Sequence, residues 1–177
     1  MLENRVMIDE ISQFVIETMS EIDEFRVFPI HELRNVKIGL LRMDSTRKHA
    51  VCRYHRGVDK NARNGTKDVR SIDLHPLVLS EKWGSYARYL MFHEYIHALG
   101  ISNHGARFKR LDSTWPRPED KNLGLDFHRF VSRINFKWTW KCQSCEFSTN
   151  RSKRSNGRYL CRSCNRVLVD FPYHSGS

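Results

Sequence analysis

Residues 93–104 read HEYIHALGISNH. On a helix, His93 and His97 lie four positions apart and project from one face at the spacing a single metal ion needs. Glu94 then falls beside the ion without ligating it, where a zinc site keeps a carboxylate that takes a proton from water. Three fixed positions are a weak signal alone, so the surroundings must carry the reading. From Trp83 the apolar residues Ala87, Leu90, Met91, Tyr95, Ala98 and Leu99 recur at helical period, which predicts a helix that buries one side. Gly100 is a natural stop for that helix. Beyond it His104 follows His97 by seven residues as the third candidate ligand, and Ala106, Arg107, Phe108 and Lys109 resume a helical pattern. Glu119, Asp120 and Asp126 are the alternatives for the third position. His104 is preferred because neutral imidazole is the commonest metal ligand and the acids read as solvated surface.

Near the C-terminus, Cys142 and Cys145 form one CxxC pair and Cys161 and Cys164 a second, with fifteen residues between them. Two such knuckles can present four thiolates tetrahedrally to one structural zinc. Nothing before Cys142 resembles a secretory signal and neither pair sits in a thioredoxin-like pattern, which argues against two disulfides or a redox pair. A unit as small as residues 137–177 needs such a metal to hold its shape, whereas residues 1–136 are long enough to bury a core of their own.

The net charge is +10, and it is unevenly placed. Residues 1–24 hold seven acids and one arginine, a balance of −6, so the remainder carries +16. That surplus favours a polyanionic partner, nucleic acid ahead of a membrane surface, since the chain has no long apolar stretch. From Lys137 onward eight basic residues face only Glu146 and Asp170. Lys141, Arg151, Lys153, Arg154 and Arg158, interleaved with Trp138, Trp140 and Tyr159, make a candidate track for single-stranded DNA, which combines cations with aromatic stacking platforms. The opposing reading gives the aromatics to the ribbon's small core and leaves the cations as solubilising charge. Residues 151–158, RSKRSNGR, read as an exposed hairpin tip, with Asn156-Gly157 as its tight turn.

Elsewhere the pattern is α+β. Met7, Ile8, Ile11, Phe14, Val15, Thr18, Met19 and Ile22 predict an amphipathic N-terminal helix. Residues 36–42 and 49–56 read as strands joined by a polar turn at 44–48, and residues 72–74 as a third strand that Pro76 places at a sheet edge. The polar loop between them carries Lys60, Arg63 and Lys67. A rigid connection at Trp115–Pro118 leads to a final helix near residues 125–134. Cys52 reads as a small buried strand residue, and His31, His49, His55, His75, His128 and His174 lack metal spacing.

HEYIHALGISNHGARF, preceded by SIDLHPLVLS and followed by the four-cysteine ribbon, resembles the SprT-like zinc metalloproteases, the family that includes Spartan. The resemblance extends from about residue 36 to residue 170, and only the histidine motif and the ribbon are specific. It implies a zincin-like metalloprotease domain at 1–136 and a zinc ribbon at 137–177. It further implies His93, His97 and His104 as ligands, Glu94 as base, and two zinc ions per chain, one catalytic and one structural. The implied activity is hydrolysis of proteins crosslinked to or bound on DNA, under control by DNA engagement. Residues 71–75 become the shelf on which an extended substrate pairs. The spacing from His97 to His104 is shorter than that of Spartan. The expected partners are single-stranded or junction-containing DNA and the proteins on it, with no membrane. The chain is expected to be an intracellular monomer, nucleoid-associated or, in a eukaryote, nuclear. Two other functions stay open: a non-proteolytic nucleic-acid-binding protein acting in transcription, and a general zinc metallopeptidase independent of DNA.

Overall fold

The apolar periodicity of the first two dozen residues produces helix α1, Leu2–Glu21. Ile8, Ile11, Val15, Ile16 and Met19 lie along its buried stripe, each removed from water at a gain of about 1.5–3 kcal/mol. The computed structural model describes residues 2–59 and 65–174. Two compact units divide the chain, Met1–Phe127 and His128–Ser177, and their elements make it a mixed α+β protein.

In the first unit, strands β1, Ile38–Leu40, β2, Ala50–Tyr54, and β3, Val69–Leu74, form one sheet in the order β1-β3-β2. β1 runs parallel to β3, with Ile38 opposite Ile72, and β2 runs antiparallel to it, with Cys52 opposite Ile72. β3 is therefore the central strand, which corrects the expectation that Pro76 marks an edge. The proline lies past the end of the strand, opening the 3₁₀ turn Pro76–Leu79, so its missing N–H removes nothing from the ladder. Within residues 71–75, Ile72, Asp73 and Leu74 are thus paired on both sides, and β1 and β2, expected to be joined by a turn, are separated in the sheet by β3. The edge on the far side of β3 from β1 is β2.

Helix α2, Gly84–Ala98, carries the HEYIH motif. It buries not one side but most of its circumference, including Tyr86, Tyr89, Met91, Phe92, Tyr95 and Ile96. The cause is its central place, with α1 against one flank and strands β2 and β3 against another. Tyr95 Oη reaches Ser12 Oγ of α1 at 2.7 Å. Helix α3, Ala106–Asp112, follows, then helix α4, Glu119–Ile134. α4 begins six residues before the expected Leu125 because its first turn, rich in Glu119 and Asp120, carries no apolar period yet suits the positive end of the helix dipole. Gly124 lies close to Tyr86: a Cβ there would come 3.0 Å from Tyr86 Oη, so a larger residue needs that side chain to give by a few tenths of an ångström. Phe127, fully buried, packs edge-on against Trp83, His49 and His75.

The second unit starts within α4. Its sheet comprises β4, Trp138–Lys141, β5, Ser148–Arg151, and β6, Val169–Pro172, antiparallel in the order β5-β4-β6. The core is small: Trp140, Cys142, Cys161 and Leu168 are buried, with Trp138, Phe147 and the other two cysteines partly so. The turn expected at Asn156-Gly157 is present, both residues adopting positive φ, 48° and 71°. The segment is tied down as well as exposed, because Asp170 accepts from Ser155 N at 2.6 Å and Asn156 N at 2.9 Å. Among the described residues no helix is long and apolar enough to cross a membrane.

Candidate metal centres

His93 and His97 project from the same face of α2, and the chain turns back to meet them at Gly100, whose φ of 96° ends the helix. His104 is carried in just before α3. Its Nε2 lies 3.1 Å from His93 Nε2 and 3.2 Å from His97 Nε2. Zinc with bonds of 2.0–2.1 Å in tetrahedral geometry would hold such nitrogens about 3.3–3.4 Å apart, close to what is found. The other ring nitrogens fix the tautomers. His97 Nδ1 is 2.7 Å from the Ile101 carbonyl oxygen and His93 Nδ1 is 3.0 Å from Asp112 Oδ1, both acceptors only. Each ring therefore keeps its proton on Nδ1 and turns a lone pair toward the cluster. Even if His104 donates to one neighbour, the other close N···N contact has no proton in it, and a cation among the three satisfies all of them.

Phe108 forms the floor of this cluster. Its ring, 2% exposed, lies 4.6 Å from that of His97 in a stack, 4.7 Å from that of His93 and 4.6 Å from that of His104. Asp112, also buried, accepts from Tyr89 Oη and Lys121 Nζ in addition to His93. Burial raises its carboxyl, but the bonds from His93 and Lys121 outweigh that and hold it at about 2. Partial burial, followed by the nearby His93, lowers His104 and favours the neutral ring. Sequence reasoning misses Phe108 and Asp112 as site residues. Their one signal is an i, i+4 spacing that puts both on one face of α3 immediately after the third histidine. The alternative acids are elsewhere: Asp120 is buried, contrary to the expectation of solvated surface, and accepts from Trp115 Nε1 at 3.0 Å, while Glu119 and Asp126 are exposed.

Glu94 is 7% exposed, and its Oε2 accepts the Cys52 N–H at 2.7 Å. Burial raises its pKa, and the charge of His93 and the Cys52 N–H pull against the rise. A cation among the histidines would oppose the rise further. The same residues border a cleft of 440 Å³, with Lys48 and Ala50, Val51, Cys52 and Tyr54 of β2 on one wall and His93, Glu94 and His97 on the other. Tyr54 Oη donates to the His97 carbonyl at 2.9 Å, bonding β2 to the motif helix. Cys52 is half-buried at this wall rather than in the core as its sequence context suggests. The strand that lines the cleft and bonds Glu94 is thus β2, not residues 71–75. Of the remaining histidines, His75 is fully buried and accepts Leu77 N–H at Nδ1, and His49 bonds Tyr86 Oη.

The four ribbon cysteines are free thiols whose sulfurs lie within 4.8 Å of one another. Cys142 and Cys164 are 3.2 Å apart, Cys145 and Cys161 3.6 Å, and Cys145 and Cys164 3.7 Å. Tetrahedral zinc with bonds of 2.3 Å requires about 3.8 Å, against about 2.05 Å for a disulfide. The Ser144 N–H lowers Cys142, and the N–H groups of Ser163 and Cys164 lower Cys161 against its burial, whereas the bond to Cys142 pushes Cys164 up. Four thiolates so close are tolerable only around a cation. Both clusters could hold a metal ion, and both donor sets are compatible with zinc.

Among the residues of the candidate nucleic-acid track, Trp140 is a core residue. It is 8% exposed, donates Nε1–H to the Lys153 carbonyl at 2.9 Å, and is covered by Tyr159 in a stack at 4.6 Å. Tyr159 itself is 52% exposed. Arg154 lies 4.0 Å over half-buried Trp138, and Arg151 5.4 Å over Trp140. Lys141, Lys153 and Arg158 are exposed, and so is Lys67 in the first unit. Lys60 and Arg63 lie outside the described residues.

Comparison with protein families, curated proteins and solved structures finds no match.

Proposed function

We propose that this chain is a zinc-dependent endopeptidase of the SprT-like type, with a zincin-like catalytic unit and a nucleic-acid-binding ribbon, acting on proteins attached to or lodged on DNA. The observation that carries the reading is the convergence of three imidazole nitrogens beside a buried glutamate, in a cleft walled by an edge strand. Three histidine ligands leave the fourth position of a tetrahedral ion open, the arrangement of a catalytic site, whereas four cysteines close it. His93, His97 and His104 would hold the zinc, which would supply Lewis acidity and bring the pKa of a bound water near neutrality.

The chain's own residues do the rest. The Cys52 N–H holds Oε2 of Glu94, leaving Oε1 as the atom that takes a proton and later returns it to the leaving amine. Burial of Glu94 raises its pKa, the direction that favours taking a proton, and a cation among the histidines would act against that rise. A substrate laid along the edge of β2 gains backbone hydrogen bonds that do not depend on its side chains, which fits a protease of broad sequence tolerance. DNA association is supported by the charge of +16 beyond residue 24 and by the exposed cations of the ribbon, with Tyr159 and Trp138 as its accessible aromatics.

The test is cleavage of a DNA-binding protein by the purified chain, with and without single-stranded DNA, against the Glu94→Gln variant. Cleavage that needs DNA and vanishes in the variant is the expected result. Equal cleavage without DNA would favour a general metallopeptidase, and DNA binding with no cleavage a non-catalytic binder.

A further inference from the structure

We propose that Asp112 is a positioning residue for the histidine site, orienting His93 and so setting how tightly the three imidazoles hold a metal ion. The inference rests on the metal-site reading above and adds a residue that neither the motif nor its spacing contains. Asp112 is the last residue of α3, and its side chain is 6% exposed. Three donors reach its two oxygens: His93 Nδ1 at 3.0 Å to Oδ1, Tyr89 Oη at 3.1 Å to both, and Lys121 Nζ at 2.7 Å to Oδ2. An ionised carboxylate accepts and cannot donate, so the His93 contact has one polarity: the proton is on Nδ1 and the lone pair on Nε2. A carboxylate bonded to the far nitrogen of a ligating imidazole both fixes the ring's rotation and raises its basicity toward a metal.

His97 obtains the same service from a backbone carbonyl, that of Ile101, which no side-chain substitution removes. Asp112 is the contact of this kind on His93 that mutation can reach. The competing account is that Asp112 is a strut joining α2, α3 and α4 through its three bonds. The two accounts differ in which bonds matter. A strut is weakened by losing any of the three, whereas positioning depends on the one to His93.

Four full-length variants separate them. Asp112→Ala removes the acceptor, and Asp112→Asn leaves a single acceptor oxygen for three donors. Tyr89→Phe and Lys121→Met remove the other two bonds and leave the carboxylate on His93. Zinc stoichiometry and competition with a chelator are measured on each, with the four-cysteine zinc as internal reference. Long-range ¹H–¹⁵N spectra of protein stripped at the histidine site report the His93 tautomer, and thermal melts of the same material report folding. The expected result is a loss of about 10–100-fold in zinc affinity at the histidine site for both Asp112 variants. The ribbon zinc stays unchanged, and His93 in Asp112→Ala loses its pure Nδ1–H form. Lys121 is 61% exposed and its pair is screened, so Lys121→Met, like Tyr89→Phe, shifts affinity by at most about fivefold. Wild-type affinity in Asp112→Ala, an unchanged tautomer, or equal losses in all four variants would overturn the proposal in favour of a strut. A wild-type chain that binds one zinc, at the cysteines, would instead sink the histidine-site reading itself, whatever the variants do.

Discussion

The three-histidine and four-cysteine clusters, each able to hold a metal ion, differ in what surrounds them. His93 and His97 stand on α2, a helix whose Tyr95, Phe92, Ile96 and Met91 are already buried, Phe92 against Phe25 and Trp115. The cysteines are half of the core they belong to, alongside Trp140 and Leu168. The first site is borrowed from a fold that stands without it, and the second is a fold that has little else. Under the proposed function, a metal among the histidines would be available for chemistry and one among the cysteines committed to structure.

The largest effect is expected where that contrast is sharpest. Cys161→Ser should unfold the second unit, since structural zinc in small domains contributes an apparent 10–16 kcal/mol. Amide resonances of residues 138–172 should collapse toward random-coil positions, while those of α2 keep their dispersion. Loss of dispersion in both units together would break the contrast. The matching change at the other site, His97→Ala, should abolish binding of the histidine-site zinc and leave the first unit folded by circular dichroism. Glu94→Gln should lower peptide hydrolysis by at least about 10²–10⁴-fold while zinc stoichiometry stays at wild type, measured by turnover and metal analysis together. A fall in bound zinc would mean that Glu94 holds the ligands in place rather than moving a proton.

Two smaller effects are expected where the histidine site meets its core. Phe108→Ala removes the ring beneath all three imidazoles and should destabilise the first unit by about 3–5 kcal/mol in denaturant unfolding, with weakened metal binding as a companion. Unchanged metal affinity would show that the floor serves packing alone. Tyr95→Phe removes only the bond to Ser12 between α1 and α2, and should cost about 1 kcal/mol with no change in metal affinity.

Local rules make part of this molecule legible in its sequence. α1 and α2 are visible as periodic burial, His93, Glu94 and His97 as a four-residue spacing, the cysteines as paired knuckles, and Asn156-Gly157 as a left-handed turn. Each depends on residues close in sequence. The features that local rules misjudge depend on what lies far away. Pro76 has the look of an edge marker, but strand order is decided by which strands pair, and β1 reaches β3 across some thirty residues. Trp140 has the look of a surface platform because alternation in a four-residue strand cannot say which face is covered, and Tyr159 covers it. α4 starts ahead of its apolar period because capping and the helix dipole do not need apolar residues.

The chemistry on offer is legible residue by residue: two imidazoles and a carboxylate at helical spacing, a third imidazole seven residues on, four thiols in two pairs, and a cationic surplus toward the C-terminus. Side-chain type and spacing along one element are enough for that. Which strand walls the cleft, that Phe108 lies beneath the three histidines, and that Asp112 faces His93 become visible only in the folded unit. Those facts arise from packing α3 and β2 against α2, and packing partners are selected by the shape and burial of the whole unit, which no local stretch of sequence records.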